Sequence, residues 1–167
     1  MSGFEDLIIS PLGKHHDRAD FSCGIKELDR YLQRQAGQDI RRRIARVFVC
    51  TLPKGNNVLG FYTLSAISID VRCLPENLSC KLPHHPVPCA LIGRLAVDQS
   101  AAGNSLGRMM LMDALKRVLT VSSELAIHAM VVDAKNDSAK RFYEKFGFLS
   151  LEDVPMRLFL PLGAINL

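Results

Sequence analysis

The hydrophobic positions of this chain follow two repeats, and each repeat predicts a different kind of element. Short apolar runs rich in β-branched and aromatic residues predict six strands, in DLIISPL, ARVFVCTL, VLGFYTLSAISI, ALIGRLAVD, ELAIHAMVVD and MRLFLPL. Apolar residues spaced three and four positions apart predict helices in GIKELDRYLQRQAGQDIRRR, SLGRMMLMDALKRV and NDSAKRFYEKFGF. The predicted order is β, α, β, β, β, α, β, α, β, which favours a mixed sheet with helices on its faces.

The same spacing predicts which residues face the core and where helices end. In the first helical segment the apolar stripe consists of Ile25, Leu28, Tyr31, Leu32 and Ala36. Gly37 is expected to break or bend this segment, giving two short helices or one kinked helix. In the second helix the predicted core face consists of Leu106, Met109, Met110, Ala114, Leu115 and Val118. The last helix is expected to begin at a cap on Asn136 or Asp137 and to end at Gly147.

One long stretch predicts no regular element. RCLPENLSCKLPHHPVPC, between the third and fourth predicted strands, contains four prolines. Proline removes a backbone donor and fixes φ, so we expect this stretch to be a loop.

Composition places the chain among soluble globular domains. Its 167 residues, 48% hydrophobic and 23% charged, suit a single domain covering residues 1–167. No apolar run approaches the roughly 18 residues of a membrane span, and the N-terminus lacks the pattern of a signal peptide. We therefore expect a cytoplasmic protein that does not contact membranes. The five cysteines are Cys23, Cys50, Cys73, Cys80 and Cys89. Their odd number and the absence of a C-x-x-C pair argue against a disulfide framework or a zinc ribbon, and most are expected to be buried and reduced.

The turn before the second helix is built almost entirely of small residues. DQSAAGN leads from a predicted strand into SLGRMM. A helix N-terminus carries unpaired N–H groups and the positive end of the helix dipole, and small residues let an anion approach them. The alternative is an ordinary tight connection.

The net charge of +4 is modest, but its distribution is uneven. Five arginines fall within thirteen residues: Arg34, Arg41, Arg42, Arg43 and Arg46. They are either a solvated helix end, where cations suit the dipole, or a patch that contacts nucleic-acid phosphates. The pairs His15–His16 and His84–His85 do not have the spacing of metal ligands, so no metal site is expected.

The element order, together with RLAVDQSAAGNSLGRMMLMDAL and NDSAKRFYEKFGF, resembles the GNAT family of N-acetyltransferases over about residues 6–160. The most specific part is AKRFYEKFGF, which matches the family's last helix. FSCGIKELDRYLQRQA, GFYTLS and RLAVD are similar to one branch, the acetyltransferase toxins of bacterial toxin–antitoxin pairs. The resemblance implies an α/β (α+β) GNAT fold, with a mixed, mostly antiparallel sheet of six to seven strands flanked by helices. It also implies acetyl-CoA as cofactor, aminoacyl-tRNA as acceptor, an antitoxin with a small DNA-binding domain, and a homodimer.

The chain departs from the family in the loop that binds the cofactor's phosphates. The family pattern Q/R-x-x-G-x-G/A falls on residues 102–107, where only Gly107 matches. Ala102 replaces Gln or Arg, and Ser105 replaces a glycine. Backbone N–H groups do most of the binding in such loops, so the site is expected to survive. If Ser105 needs a positive φ, the cost is roughly 1 kcal/mol or more, and cofactor binding is loosened.

The resemblance also implies roles for particular residues. The pyrophosphate is expected at Ala102, Gly103, Asn104, Ser105, Leu106, Gly107 and Arg108. The pantetheine arm is expected to pair with the backbone of Leu95, Ala96 and Val97 in RLAVD. Asn136 either contacts this arm or simply caps its helix, and Phe142 is a core residue or a wall of the cofactor site.

Acetyl transfer to an amine requires a proton for the departing thiolate. A thiol with a pKa near 8.5 can take it from a phenol with a pKa near 10 at a modest cost. Tyr143 occupies the family's position for this acid; its alternative role is core packing beside Phe142. No general base stands out, and Glu27, Asp98 and His128 are candidates by residue type only. An α-amino group, with a reference pKa of about 7.7–8.0, is partly neutral at pH 7 and needs none.

The leading hypothesis is therefore an acetyl-CoA-dependent toxin that acetylates the α-amino group of aminoacyl-tRNA and so blocks translation. Arg41, Arg42, Arg43 and Arg46 are the candidate tRNA contacts. One alternative is a GNAT enzyme that acetylates a small molecule or a protein N-terminus. Another is a non-catalytic GNAT-like protein that binds RNA or regulates.

Overall fold

A seven-stranded sheet is the frame of the computed structural model, which describes residues 6–70, 72, 74–79, 82 and 86–165. The strands are β1 (Ile8–Pro11), β2 (Arg46–Thr51), β3 (Gly60–Ile69), β4 (Val87–Val97), β5 (Ala129–Asp133), β6 (Leu149–Ser150) and β7 (Arg157–Pro161). The helices are α1 (Lys26–Arg30), α2 (Ala36–Arg41), α3 (Glu76–Ser79), α4 (Leu106–Val121) and α5 (Asp137–Glu144). A π-helical segment, Tyr31–Gln35, joins α1 to α2, and 3₁₀ turns cover Gln99–Ala101 and Leu162–Ala164.

The strand order is β1-β2-β3-β4-β5-β7-β6. Antiparallel pairs join β1 to β2, β2 to β3, β5 to β7 and β6 to β7, whereas β4 and β5 run parallel. All six predicted strands are present, and the mixed, mostly antiparallel sheet is confirmed. The seventh strand, β6, is only two residues long and carries too little periodicity for sequence analysis to detect it.

One compact unit contains the chain up to Ser65 together with Gly93–Ala114. Its core joins the first helical segment to β2, β3 and β4. Leu32, Ala36, Val49 and Phe61 are fully buried, and Ala96 supplies the contribution of β4. Gly60 permits a close approach, because a Cβ there would lie 2.8 Å from Cε of Met110 and 3.1 Å from the carbonyl oxygen of Ala96. On α4 the predicted core residue Met109 is only partly buried, whereas Leu111 is fully buried.

The first helical segment is continuous through Gly37, so the predicted break at that residue is wrong. Gly37 lies inside α2, and the irregularity comes earlier, in the π-helical turn, where the N–H of Ala36 donates to the carbonyl of Tyr31. The wider turn absorbs one extra residue and keeps Leu28, Leu32 and Ala36 buried. Tertiary packing of this stripe therefore outweighs the helix-weakening effect of one glycine, about 1 kcal/mol.

The second unit contains Ala66–Ile92 and the chain from Leu115 onward. Val131 and Phe159 lie at the centre of its core, on the paired strands β5 and β7. The proline-rich stretch, which the sequence predicts to be a loop, is not wholly irregular. It contains the single turn α3, which follows Pro75, and β4 begins already at Val87. Proline lacks only a donor that a first helical turn leaves unpaired, so it favours a helix start.

The cysteines in the described part of the chain are free thiols. Cys50 and Cys89 are buried and Cys23 is partly buried. Burial raises the pKa of each of these three thiols to about 11, so they remain protonated at neutral pH. Cys73, Cys80, His84 and His85 lie outside the described residues.

Candidate functional site

The carboxyl half of β4 extends beyond its partner strand. The parallel pairing with β5 runs from Cys89 to Ile92 and reaches no further in the described residues. β4 itself continues to Val97. Residues 93–97, which include Leu95, Ala96 and Val97, therefore have no ladder partner in β5. Such an edge can pair with another extended chain through backbone hydrogen bonds.

The connection from β4 to α4 is held in shape by side-chain hydrogen bonds. The Asp98 carboxylate accepts from the N–H of Ser22 at 2.8 Å and from the N–H and hydroxyl of Ser100 at 2.9 and 2.6 Å. These bonds lower the pKa of Asp98 against the opposing effect of burial, and they make it a structural cap, not a general base. Further along, the Asn104 amide donates to the carbonyls of Ala101 and Ala102 at 3.1 and 3.2 Å.

The backbone of this connection turns twice through the left-handed region. Gly103 has φ of +81° and Ser105 has φ of +59°. The carbonyl of Ser105 accepts from the N–H of Met109 at 3.0 Å, so Ser105 is the residue from which α4 starts. The sequence analysis identified Ser105 as the residue at risk if a positive φ is needed, and the structure confirms that φ. A left-handed conformation costs a residue with a Cβ roughly 1–2 kcal/mol.

Six consecutive backbone donors at this point are open. None of the N–H groups of residues 103–108 donates to another described residue. Leu106 is buried, but Ala102, Gly103, Ser105 and Arg108 are exposed. Open N–H groups that lie in a turn and at the N-terminus of a 16-residue helix form a concave site for an anion. The Arg108 guanidinium, which has no partner among the described residues, adds positive charge.

The helix α5 in the second unit is capped at both ends. Asn136 is its N-cap, and its side-chain oxygen accepts from the N–H of Ala139 at 2.8 Å. Gly147 ends it with φ of +92°. The N–H of Phe148 donates to the carbonyl of Tyr143 and that of Gly147 to Glu144, at 3.3 and 3.1 Å. The rings of Tyr143 and Phe148 pack edge to face 5.7 Å apart, which completes a Schellman motif. Both predicted caps are confirmed.

Tyr143 is buried except at its hydroxyl. Its side chain is 4% exposed and packs edge to face against Phe142 at 5.2 Å. In the described residues the hydroxyl has no hydrogen-bond partner, and no buried side-chain oxygen or nitrogen lacks one. The hydroxyl must therefore reach the surface. Burial, and to a lesser extent the nearby Asp133 carboxylate, raises the pKa of Tyr143, so the phenol keeps its proton at physiological pH.

Asp133 is itself fixed by an ion pair. Nε and Nη2 of Arg157 donate to its two carboxylate oxygens at 2.7 and 3.0 Å. The two residues are cross-strand partners at the ends of β5 and β7. The pair partly neutralises the carboxylate that acts on Tyr143.

The arginine run lies at the end of α2 and the start of β2. Arg41, Arg42, Arg43 and Arg46 are all exposed, and among the described residues none of the four forms an ion pair or a side-chain hydrogen bond. Arg43 has φ of +58°. It ends α2 in the position that glycine favours, because the N–H of Ile44 donates to the carbonyl of Asp39 and that of Arg43 to Ile40.

A charged residue inside β4 was not among the predicted site residues. Arg94 is partly buried and its guanidinium lies 3.6 Å from the centre of the Tyr31 ring. The signal was visible as an arginine within the apolar run ALIGRLAVD.

The histidine His16 has a structural role, because its Nδ1 accepts from the N–H of Gly13 at 2.9 Å and the ring is held in place. In the described part of the chain no group of three or more His, Cys, Asp or Glu could hold a metal, and no helix could span a bilayer.

A family model for the acetyltransferase (GNAT) family matches residues 14–148. The chain belongs to this family. The probable toxin TacT of Sinorhizobium fredii is 32% identical over 99% of this chain and 96% of its own length. The tRNA-acetylating toxin of Mycobacterium tuberculosis is 33% identical over 86% of this chain and 85% of its own length.

Solved structures of GNAT toxins have the same fold. A tyrosine-to-phenylalanine mutant of KacT superposes with a TM-score of 0.90, at 28% identity, over 96% of this chain and 97% of that one. AtaT complexed with acetyl-methionyl-tRNAfMet gives 0.89 at 29% identity, over 95% and 96%. A tyrosine-to-phenylalanine mutant of AtaT, bound to acetyl-CoA and the C-terminus of the antitoxin AtaR, gives 0.82 at 27% identity, over 96% of both chains.

Proposed function

We propose that the chain is a single N-acetyltransferase domain that uses acetyl-CoA to acetylate the α-amino group of aminoacyl-tRNA, and so acts as a translation-blocking toxin. The observation that carries this proposal is the row of open N–H groups over residues 103–108, which directly follows a strand with an unpaired edge. Acetyl-CoA carries its pyrophosphate at the end of an extended pantetheine arm. It therefore needs an anion site next to a strand edge that can pair with the arm. A relative named as a tRNA-acetylating toxin, and a neighbour complexed with acetyl-methionyl-tRNA, support aminoacyl-tRNA as the acceptor.

The residues present fit acetyl-CoA. The backbone N–H groups of residues 103–108 would hold the pyrophosphate, with Ala102, whose own N–H donates to the carbonyl of Gln99, lining the turn and Arg108 adding charge. The backbone of Leu95, Ala96 and Val97 would pair with the pantetheine arm. Asn136 and Phe142 would contact the cofactor from α5. When bound, acetyl-CoA supplies an acetyl group activated as a thioester.

Tyr143 is the proposed proton donor. Its phenol keeps its proton at physiological pH, because burial raises its pKa, and its hydroxyl is the accessible part of the side chain. As the new amide bond forms and the C–S bond breaks, the phenol hydrogen passes to the thiolate sulfur. An α-amino group is partly neutral at pH 7 and attacks in that form. It releases one proton to water as it becomes the amide nitrogen, and the Tyr143 phenolate regains one proton from water.

The arginine run is the proposed docking surface for tRNA. Arg41, Arg42, Arg43 and Arg46 are exposed and without acidic partners among the described residues. Cations that are not already paired are free to replace the counterions of phosphates. Exposed cations at the end of a helix would also interact favourably with the helix dipole without any RNA. The salt dependence of tRNA affinity decides between the two roles.

The proposal extends to partners and location. A neighbour bound to the C-terminus of its antitoxin supports an antitoxin for this chain too, with a small DNA-binding domain of its own. A homodimer in the bacterial cytoplasm completes the proposal, and size-exclusion chromatography with light scattering would test the dimer.

The decisive experiment is acetyl transfer from labelled acetyl-CoA to total charged tRNA. We expect label on aminoacyl-tRNA that alkaline hydrolysis releases as N-acetyl amino acid. Deacylated tRNA, spermidine and a peptide with a free N-terminus are the controls. Label on spermidine or the peptide alone would move the function to another amine. No label on any acceptor, from a folded sample that binds acetyl-CoA, would favour a non-catalytic protein.

A further inference from the structure

Tyr31 is a rigid platform in the first unit. Its side chain is 2% exposed, and its ring stacks on Phe61 with centroids 6.2 Å apart and planes 18° from parallel. Its hydroxyl donates to Oδ2 of Asp39 at 2.8 Å. Because the ring plane and the hydroxyl are both fixed, Tyr31 presents one aromatic face at a defined position.

The guanidinium of Arg94 is held over that face, 3.6 Å from the ring centre. The backbone behind it is also fixed, because the N–H of Arg94 donates to Oγ1 of the buried Thr63 at 3.1 Å. An arginine stacked on a ring keeps its N–H donors free at the edge of the guanidinium plane, and its long side chain is already ordered.

Arg94 has no counter-ion among the described residues. Its guanidinium forms no ion pair or hydrogen bond with any residue in the described part of the chain, and the adjacent Asp39 carboxylate accepts from the Tyr31 hydroxyl instead. A partly buried charge without a carboxylate costs free energy. Since no buried side-chain nitrogen lacks a partner, the donors of Arg94 are accessible. The site is therefore suited to an anion that arrives from outside.

The position of Arg94 along β4 separates this anion from the phosphates of the cofactor. Asp98, where the phosphate-binding connection begins, is four residues further along the chain than Arg94, a separation of about 13 Å at about 3.3 Å per strand residue. This separation along the strand favours different anions at Arg94 and at residues 103–108. Residues 95–97, the proposed contacts of the acetyl donor's arm, come directly after Arg94. An anion at Arg94 therefore belongs to the acceptor.

Resting on the proposed function, we infer that Arg94 binds the last phosphodiester of the acceptor RNA, next to its aminoacylated 3′ nucleoside. The planar fork of the guanidinium matches two phosphate oxygens. Tyr31 positions Arg94 and does not itself touch the RNA. The contact would place the ester-linked amine beside the acetyl donor, whereas the arginine run holds the RNA further from its end.

A double-mutant cycle tests the contact directly. The probes are two RNA minihelices ending in CCA, one natural and one with a neutral methylphosphonate at the last phosphodiester. Affinities are measured for the wild type, for Arg94→Met and for Arg72→Met, a control that removes an exposed arginine from the other unit. Arg94→Lys is a second variant that keeps the charge and loses the fork. Thermal unfolding of each variant checks that it folds.

We expect the methylphosphonate to weaken binding by about 10- to 100-fold for the wild type and Arg72→Met, the effect of a hydrogen-bonded charge. For Arg94→Met it should change affinity less than twofold, and for Arg94→Lys the loss should be intermediate. Equal losses in the wild type and Arg94→Met would overturn the inference. It would also be overturned if Arg94→Met weakened acetyl-CoA binding as much as RNA binding, because the anion would then belong to the cofactor.

The cycle is independent of the proposed function. It measures binding of uncharged RNA and requires no turnover. Coupling at Arg94 in a protein that transfers no acetyl group to charged tRNA would refute the function and retain the contact. Acetyl transfer to charged tRNA without coupling between Arg94 and the last phosphodiester would support the function and refute the contact.

Discussion

At the scale of single residues, two side chains sit in environments that are costly unless they serve a function. Tyr143 is buried except at a hydroxyl without a partner among the described residues. Ser105 has φ of +59° where a glycine would be unstrained. Strained or unpaired groups persist where the surrounding structure holds them in place. The role of each residue can be tested by removing the Tyr143 hydroxyl or the Ser105 side chain.

Tyr143→Phe should lower turnover by about 10²- to 10⁴-fold, the usual contribution of a general acid. The ring still packs against Phe142 and Phe148, so we expect the melting temperature and acetyl-CoA affinity to remain close to wild type. Steady-state kinetics with charged tRNA and calorimetry with acetyl-CoA make the two measurements. Turnover within a few-fold of wild type would mean that water or another residue protonates the thiolate.

Ser105→Gly should stabilise the protein by about 0.5–1 kcal/mol, because relief of the left-handed strain exceeds the added freedom of glycine in the unfolded chain. Ser105→Ala is the matched control, since it removes the hydroxyl and keeps the strain. Urea unfolding gives both free energies, and acetyl-CoA titration should show tighter binding only for the glycine variant. Equal stability of the two variants would show that the turn tolerates a Cβ without cost.

At the scale of elements, the ends of α5 and α2 position the side chains of the proposed site. α5 starts at Asn136 and ends in a Schellman motif that contains Tyr143 itself. The end of α2 places a left-handed Arg43 among three other exposed arginines. In both cases a capping arrangement determines where functional side chains leave the helix.

Asn136→Ala should cost about 1 kcal/mol of stability through loss of the N-cap. Asn136→Asp keeps a capping oxygen and should unfold like the wild type. The amide nitrogen of Asn136 donates to no described residue, so it is available to the cofactor arm. If it makes that contact, both variants should bind acetyl-CoA more weakly, whereas a purely capping role would leave the affinity of the aspartate variant unchanged.

Replacing Arg41, Arg42 and Arg43 together with alanine should weaken tRNA acetylation and leave acetyl-CoA affinity unchanged. If each arginine meets one phosphate, the salt dependence of tRNA affinity should flatten by about two to three units of log–log slope. The control replaces Lys54, Arg72 and Lys116, three exposed cations outside the run, with the same loss of charge. Parallel salt plots for the wild type and the arginine variant would assign the run to a solvated helix end.

At the scale of the whole molecule, the family match and the strand order agree on one architecture. Among the described strand pairs β1–β2, β2–β3, β4–β5, β5–β7 and β6–β7, β4–β5 is the single parallel one. The connections that follow β4 and β5 carry the open N–H groups and α5, respectively. Ligand binding to such a fold should register as global stabilisation.

Acetyl-CoA at 100 times its Kd should stabilise the folded state by about 2.7 kcal/mol. For a chain of this size that raises the melting temperature by roughly 5–10 °C. Acetyl-pantetheine, which lacks the pyrophosphate, should give a much smaller shift at the same concentration. A folded sample that shows no shift with millimolar acetyl-CoA would contradict the cofactor site, and equal shifts for the two compounds would contradict the role of residues 102–108.

Local sequence determined the six longer strands, the three predicted helical segments, the apolar stripe from Leu28 to Ala36 and both caps of α5, because these depend on neighbours within a few residues. The AKRFYEKFGF motif could identify the family because it, too, lies within a few consecutive residues. Only the tertiary structure decided the π-helical turn in place of a break at Gly37, the single turn α3 after Pro75 and the two-residue strand β6. It also decided that Arg94 lies over Tyr31 without a counter-ion in the described part of the chain. The π-helical turn, β6 and the position of Arg94 arise from packing between residues distant in sequence, which local spacing does not record. The turn α3 is a local effect of proline, which the periodicity of apolar residues does not reveal.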